Sequence, residues 1–167
     1  LKSHGGVRRR ELETPNEEAV RKGMPNLEHM VGLINSLGLP TVVALNRYPS
    51  DTDGELAIVK RGAEAAGAQA AAESRVFEEG GHGATDLAAA VVDAAAAGPQ
   101  RITYRYPPEA SSQEKVETLA QKVYNAESVR WSPAARRTLR RFEELDWGGL
   151  PVCMAKTHLS ISHNPFL

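Results

Sequence analysis

The chain holds one cysteine, Cys153, so no disulfide can form within it. Set in an apolar run, that residue reads as a small buried hydrophobe rather than a nucleophile. No apolar run approaches the ~20 residues that span a bilayer, and no signal-peptide pattern is present. A net charge of −1 supplies no global field to attract nucleic acid or anionic lipid. Also missing is Gly-x-x-x-x-Gly-Lys-Ser/Thr, the loop that cradles nucleotide phosphates. His82 reads as a loop histidine, and His158 and His163 have no cysteine or carboxylate at ligand spacing, so no metal site is expected. These absences predict a soluble, cytoplasmic protein with no membrane and no nucleic-acid partner.

What is present fits one domain with a core of its own: 167 residues, 41% hydrophobic and 25% charged. Residues 7–25 are polar, contain Arg8-Arg9-Arg10, and read as a loop or short helix with the arginines solvated. Leu27, Met30, Val31, Ile34 and Leu37 recur at helical spacing, predicting a helix over 26–37 capped by Asn26 and ended by Gly38. Thr41–Leu45 reads as a strand covered on both faces. A helix over 55–66 follows, with Leu56, Val59 and Ala63 inward and Gly67 as its stop. Residues 69–76 suit a weak strand, and 86–97 an alanine-rich helix stopped by Gly98-Pro99. Residues 101–105 alternate like a short strand. Ser111-x-x-Glu114 is a capping box that starts a helix with Val116, Leu119 and Val123 on one face. Ser132-Pro133 opens another helix, to about Leu145, and 150–155 reads as a further buried strand. Strands alternating with helices predict an α/β fold, a parallel sheet flanked by helices.

In such sheets ligands bind beyond the carboxyl ends of the strands. Three segments carry polar loops there: 46–53, 77–84 and 156–163. Tyr48 and Phe77 each place one ring in such a loop. Gly80, Gly81 and Gly83 either present amides to an anion at a helix N-terminus or simply form a tight turn. Asn46 and Asp51 evoke the guanine-reading element of GTPases but are spaced differently. Lys156 is either solvated or reaches a phosphate.

Four segments in order resemble one family. Leu1-Lys2-Ser3-His4-Gly5-Gly6, Asn46-Arg47-Tyr48-Pro49-Ser50-Asp51-Thr52-Asp53, Phe77 to Ala84, and Pro151 to Ser160 are similar to motifs of formate–tetrahydrofolate ligase. Each motif alone is weak; together, at family-like spacing, they are strong. The departures are serine for methionine at Ser3, tyrosine for phenylalanine at Tyr48, and phenylalanine for tryptophan at Phe77. The resemblance implies a relative of P-loop nucleotide-binding proteins, and an enzyme using ATP with Mg2+, formate and tetrahydrofolate, assisted by a monovalent cation whose site is not placed here. It implies that Tyr48 and Phe77 clasp the folate ring, with the Asn46 strand near the nucleotide side; Gly80, Gly81 and Lys156 are the further candidates for a nucleotide or phosphate contact. No catalytic residue is assigned. A homo-oligomeric parent is compatible with it. The chain opens on Leu1 and lacks the phosphate loop, so a middle-to-late fragment, inactive alone, is expected. A non-catalytic folate- or nucleotide-binding module and a P-loop-type hydrolase with another substrate remain alternatives.

Overall fold

The computed structural model describes residues 1–97 and 101–154, in two compact units, Leu1–Thr103 and Tyr104–Leu167. In the first unit the order is α1 (Glu17–Asn35), β1 (Val42–Asn46), α2 (Asp53–Ala65), β2 (Ala70–Ser74), α3 (Val76–Glu79) and α4 (Thr85–Ala96). β1 and β2 pair in parallel, from Val42 opposite Ala70 to Asn46 opposite Ser74, with α2 as the crossover. An α/β fold with a small parallel sheet is therefore present, as the alternation of patterns predicts.

The core of this unit is the meeting of α1, α2 and the sheet. Val31, Leu45, Leu56, Ala63, Ala68 and Ala71 are buried together, with Leu27, Val43 and Val59 packed against them. Leu56, Val59 and Ala63 thus face inward as their spacing requires. β1 is not covered on both faces: Ala44 and Asn46 are exposed and only Leu45 is buried. The described residues supply one neighbouring strand and too few helices to cover the rest.

The first helix departs from expectation. It begins at Glu17, nine residues before the predicted start, capped by Asn16, whose side chain accepts from the Ala19 N–H at 2.9 Å. Asn26 lies inside it, one residue after Pro25. A proline there forfeits one helical hydrogen bond, but Ala19, Val20 and Met24 are buried before it and Val31 after it. Burial on both sides of the proline outweighs the lost bond. The segment 1–6 folds onto this helix through glycine. A Cβ on Gly5 would collide with the backbone of Ala19, and Gly6 has φ +90°. Gly38 and Gly67 adopt positive φ just past their helices, as helix stops do. Arg8, Arg9 and Arg10 are exposed.

In the second unit both predicted caps are present. Ser111 and Glu114 form the capping box of α5 (Ser112–Tyr124), and Ser132 with Pro133 starts α6 (Pro133–Glu144). Two predicted strands are absent: residues 101–105 and 150–154 are irregular. An alternating or apolar run becomes a strand only beside a partner strand, and these find other ties. The Thr103 N–H donates to the Leu37 carbonyl at 2.8 Å. The Val152 N–H donates to the Tyr106 hydroxyl at 3.0 Å. Cys153, outside any strand, is exposed rather than buried.

Lys115 holds the 148–150 segment. Fully buried, its ammonium donates to the carbonyls of Gly148 at 2.7 Å and Leu150 at 3.2 Å. It also lies 5.8 Å from the Tyr106 ring centroid, within reach of a cation–π attraction. Lys115→Met keeps the apolar stem and removes both donors, so two acceptors lose their partner. A loss of about 1–3 kcal/mol is expected. The chain's two tryptophans, Trp131 and Trp147, both lie in this unit. Urea unfolding followed by tryptophan fluorescence therefore reads the loss directly, and an unchanged midpoint refutes it.

Candidate functional site

β1 and β2 end side by side, so the loops that leave them start as neighbours. The Arg47 N–H still donates to the Ser74 carbonyl at 3.1 Å, one step past the strand. Tyr48 follows immediately. Its own N–H donates to the Asp51 carboxylate at 2.9 Å, and the Asp51 N–H returns to the Tyr48 carbonyl at 2.9 Å. This closed turn sets the ring outward, 65% exposed. After β2, the Arg75 N–H donates to the Gly83 carbonyl at 2.9 Å, closing the loop that contains α3. Phe77 stands on that turn of helix, 99% exposed. Both rings thus sit at adjacent carboxyl ends of parallel strands, and neither is core.

The Tyr48 loop is anchored from below by Glu55. This residue is 3% exposed. Its carboxylate accepts from the Asn16 N–H at 2.8 Å, the Thr52 N–H at 3.0 Å and the Thr52 hydroxyl at 3.1 Å. The Thr52 side chain in turn accepts from the Glu55 N–H, completing a capping box for α2. Lys2 adds an ion pair at 3.1 Å and reaches Asp51 at 3.8 Å. Burial alone pushes the Glu55 pKa up. The Asn16 and Thr52 amides, then Lys2 and the Thr52 hydroxyl, outweigh it and bring it down to about 2. The segment 1–6 and the Tyr48 loop are therefore tied through one carboxylate. The Thr-x-x-Glu spacing of this cap was legible in the sequence and is absent from the expectations above.

A second set of charges spans the two ring-bearing loops. Arg47 pairs with Asp53 at 2.7 Å and with Glu73 at 3.1 Å. Glu73 also takes Arg75 at 3.4 Å, and Arg75 reaches Glu79 at 3.8 Å. The hydrogen bonds to Asp53 first, then Glu73, push the Arg47 guanidinium pKa up and keep it charged. Nothing in the sequence pattern marks these five as a group.

Two clefts flank the strand ends. One of about 340 Å³ is lined by Lys2, Asn46, Tyr48, Asp51 and Glu55 above the apolar Val43 and Leu45. The other, about 620 Å³, is lined by Asp53, Lys60, Glu73, Arg75, His82 and Asp86. Asn46 and Tyr48 are thus together in one cleft, while Phe77 lines neither. The glycines of 80–83 serve the turn. Gly80 has φ +59°, and a Cβ on Gly83 would meet the Arg75 backbone at 2.6 Å. Gly81 is exposed, with open space where a Cβ would stand. Lys156, His158 and His163 lie outside the described residues. Among the described residues no group of three or more His, Cys, Asp or Glu is placed to hold a metal ion, and no helix is long and apolar enough to cross a membrane.

Sequence comparison gives this arrangement a family. The sequence model described as formate–tetrahydrofolate ligase matches residues 1–167. A protein of that name from Desulforamulus reducens is 45% identical over 173 residues, covering 99% of this chain and 30% of its own length. Proteins of the same name from Roseiflexus sp. and Roseiflexus castenholzii are each 47% identical, covering 94% and 93% of this chain and 28% of their own lengths. The chain thus spans less than a third of the relatives it matches. On the match of the family model from end to end, this chain belongs to the formate–tetrahydrofolate ligase family.

Proposed function

We propose that this chain is the folate-side part of a ligase that joins formate to tetrahydrofolate at the expense of ATP, giving 10-formyltetrahydrofolate. The observation that carries the reading is the pairing of family membership with two exposed rings at adjacent strand ends. Tyr48 and Phe77 stack on the two faces of the pterin, a flat conjugated bicycle, and leave its reacting amine free. Asn46, Gly80, Gly81 and Lys156 are assigned in this reading to the nucleotide or phosphate side. In the full protein a formate oxygen attacks the γ-phosphorus of ATP, releasing ADP and forming formyl phosphate. The N10 amine then attacks the formyl carbon and phosphate leaves. Activation is required because resonance makes formate a poor acyl donor; phosphorylation turns one of its oxygens into a leaving group. Mg2+ and a monovalent cation assist this chemistry. The described residues offer neither a metal cluster nor a phosphate loop, so no step with them is assigned to this chain.

The experiment is a comparison of this chain with its full-length parent. The parent is expected to form 10-formyltetrahydrofolate only when ATP, formate and tetrahydrofolate are all supplied. The 167-residue chain is expected to form none. No product from the parent refutes the proposed activity, and ATP-dependent formylation by the isolated chain refutes its dependence on the remainder.

A further inference from the structure

We propose that Arg47 is a positioning residue that sets the spacing of the two ring-bearing loops; this rests on the folate-clasp reading above. Phe77 is almost wholly exposed, so packing does not fix it, and Tyr48, itself largely exposed, is held on its backbone side by the Asp51 turn. What spans from one loop to the other is the alternating series Asp53, Arg47, Glu73, Arg75 and Glu79. Arg47 is its branch point. One arm of the guanidinium holds Asp53, at the far end of the Tyr48 loop, and the other holds Glu73 on β2. Glu73 passes the constraint to Arg75, and Arg75 and Glu79 bracket Phe77 on one turn of helix. Arg47 itself immediately precedes Tyr48.

Charge pairs this accessible add little to global stability. They restrict geometry instead. Two rings that must receive a flat ligand bind it more tightly when their separation is already fixed, because less ordering is left for the ligand to impose. The effect should therefore appear in tetrahydrofolate affinity and not in the melting temperature. It should also be sensitive to salt, which screens exposed pairs. Lysine cannot replace the residue fully, since a single ammonium lacks the two-armed fork that serves two carboxylates.

The test is made in the full-length protein with Arg47→Met and Arg47→Lys, beside Tyr48→Ala and Phe77→Ala. Arg47→Met is expected to raise the KM for tetrahydrofolate about three- to tenfold, Arg47→Lys less. The KM for ATP and the melting temperature should stay at their wild-type values. Added sodium chloride should raise the wild-type folate KM towards that of Arg47→Met and leave the variant little changed. If the ring variants raise the folate KM while Arg47→Met does not, the positioning role is overturned and the clasp stands. If the ring variants leave the folate KM unchanged, the clasp falls and the positioning role with it. An equal rise in both KM values with a lowered melting temperature overturns the proposal in favour of a purely structural role.

Discussion

Replacing Glu55 by alanine is expected to destabilise the Leu1–Thr103 unit by about 3 kcal/mol at neutral pH. The carboxylate joins the start of α1, the start of α2 and Lys2. Its removal leaves the Asn16 and Thr52 amides without that acceptor, and the Lys2 ammonium, among the described residues, with the longer contact to Asp51 and a 3.5 Å bond to the Thr14 carbonyl. The depression of its pKa from 4.5 to about 2 corresponds to a similar energy. The sign follows from linkage. A carboxyl whose folded pKa lies below its unfolded value stabilises fully above the unfolded value, and that contribution fades as pH falls towards the folded one. The gap in stability between wild type and Glu55→Gln should therefore be widest above pH 4.5 and shrink as pH approaches 2. Chemical denaturation at a series of pH values, followed by far-ultraviolet circular dichroism, measures it. A gap that stays constant over this window would show that the charge is not what stabilises.

In the full-length protein, Tyr48→Ala or Phe77→Ala is expected to weaken tetrahydrofolate binding by about 1–3 kcal/mol, roughly five- to a hundredfold. Each loses one aromatic face from a stack on a flat heterocycle. Since both side chains are largely exposed, truncation should disturb the fold little, which separates a ligand effect from a folding effect. ATP affinity should be nearly unchanged, because neither ring is proposed to touch the nucleotide. Phe77→Trp enlarges the stacking face and should tighten folate binding. Isothermal titration with each ligand checks this, and weakened ATP binding with intact folate binding would remove the rings from the folate side altogether.

The sequence carried the elements with local causes. The Ser111 box, the Ser132-Pro133 start, and the Gly38 and Gly67 stops depend on residues a turn apart, and all are present. Polar loops after apolar runs located the carboxyl ends of β1 and β2. Failures came where a distant partner decides. Asn16 and Asn26 are equal as caps on local grounds; the collision-close seat of Gly5 on Ala19 marks the packing that favours the earlier one. Residues 101–105 and 150–154 look like strands, but no pairing for them exists among the described residues. The charge series through Arg47 could not be read either. Its members come together only because the strand register sets Asn46 opposite Ser74, and register is not visible in a run of small, similar residues such as Ala70-Ala71-Ala72.

The crossover from β1 through α2 to β2 has a consequence for folding. Parallel strands cannot meet through a tight hairpin; a longer crossover must join them, here a helix. Here strand, helix and strand are consecutive in the chain, so the pairing closes a short loop and its entropic penalty is small. Both ring-bearing loops belong to this one contiguous stretch. A stretch held by contacts this local can pair its strands without waiting for distant parts of the polypeptide. The strand ends that carry the two rings would then be brought side by side by contacts within residues 42–83 alone.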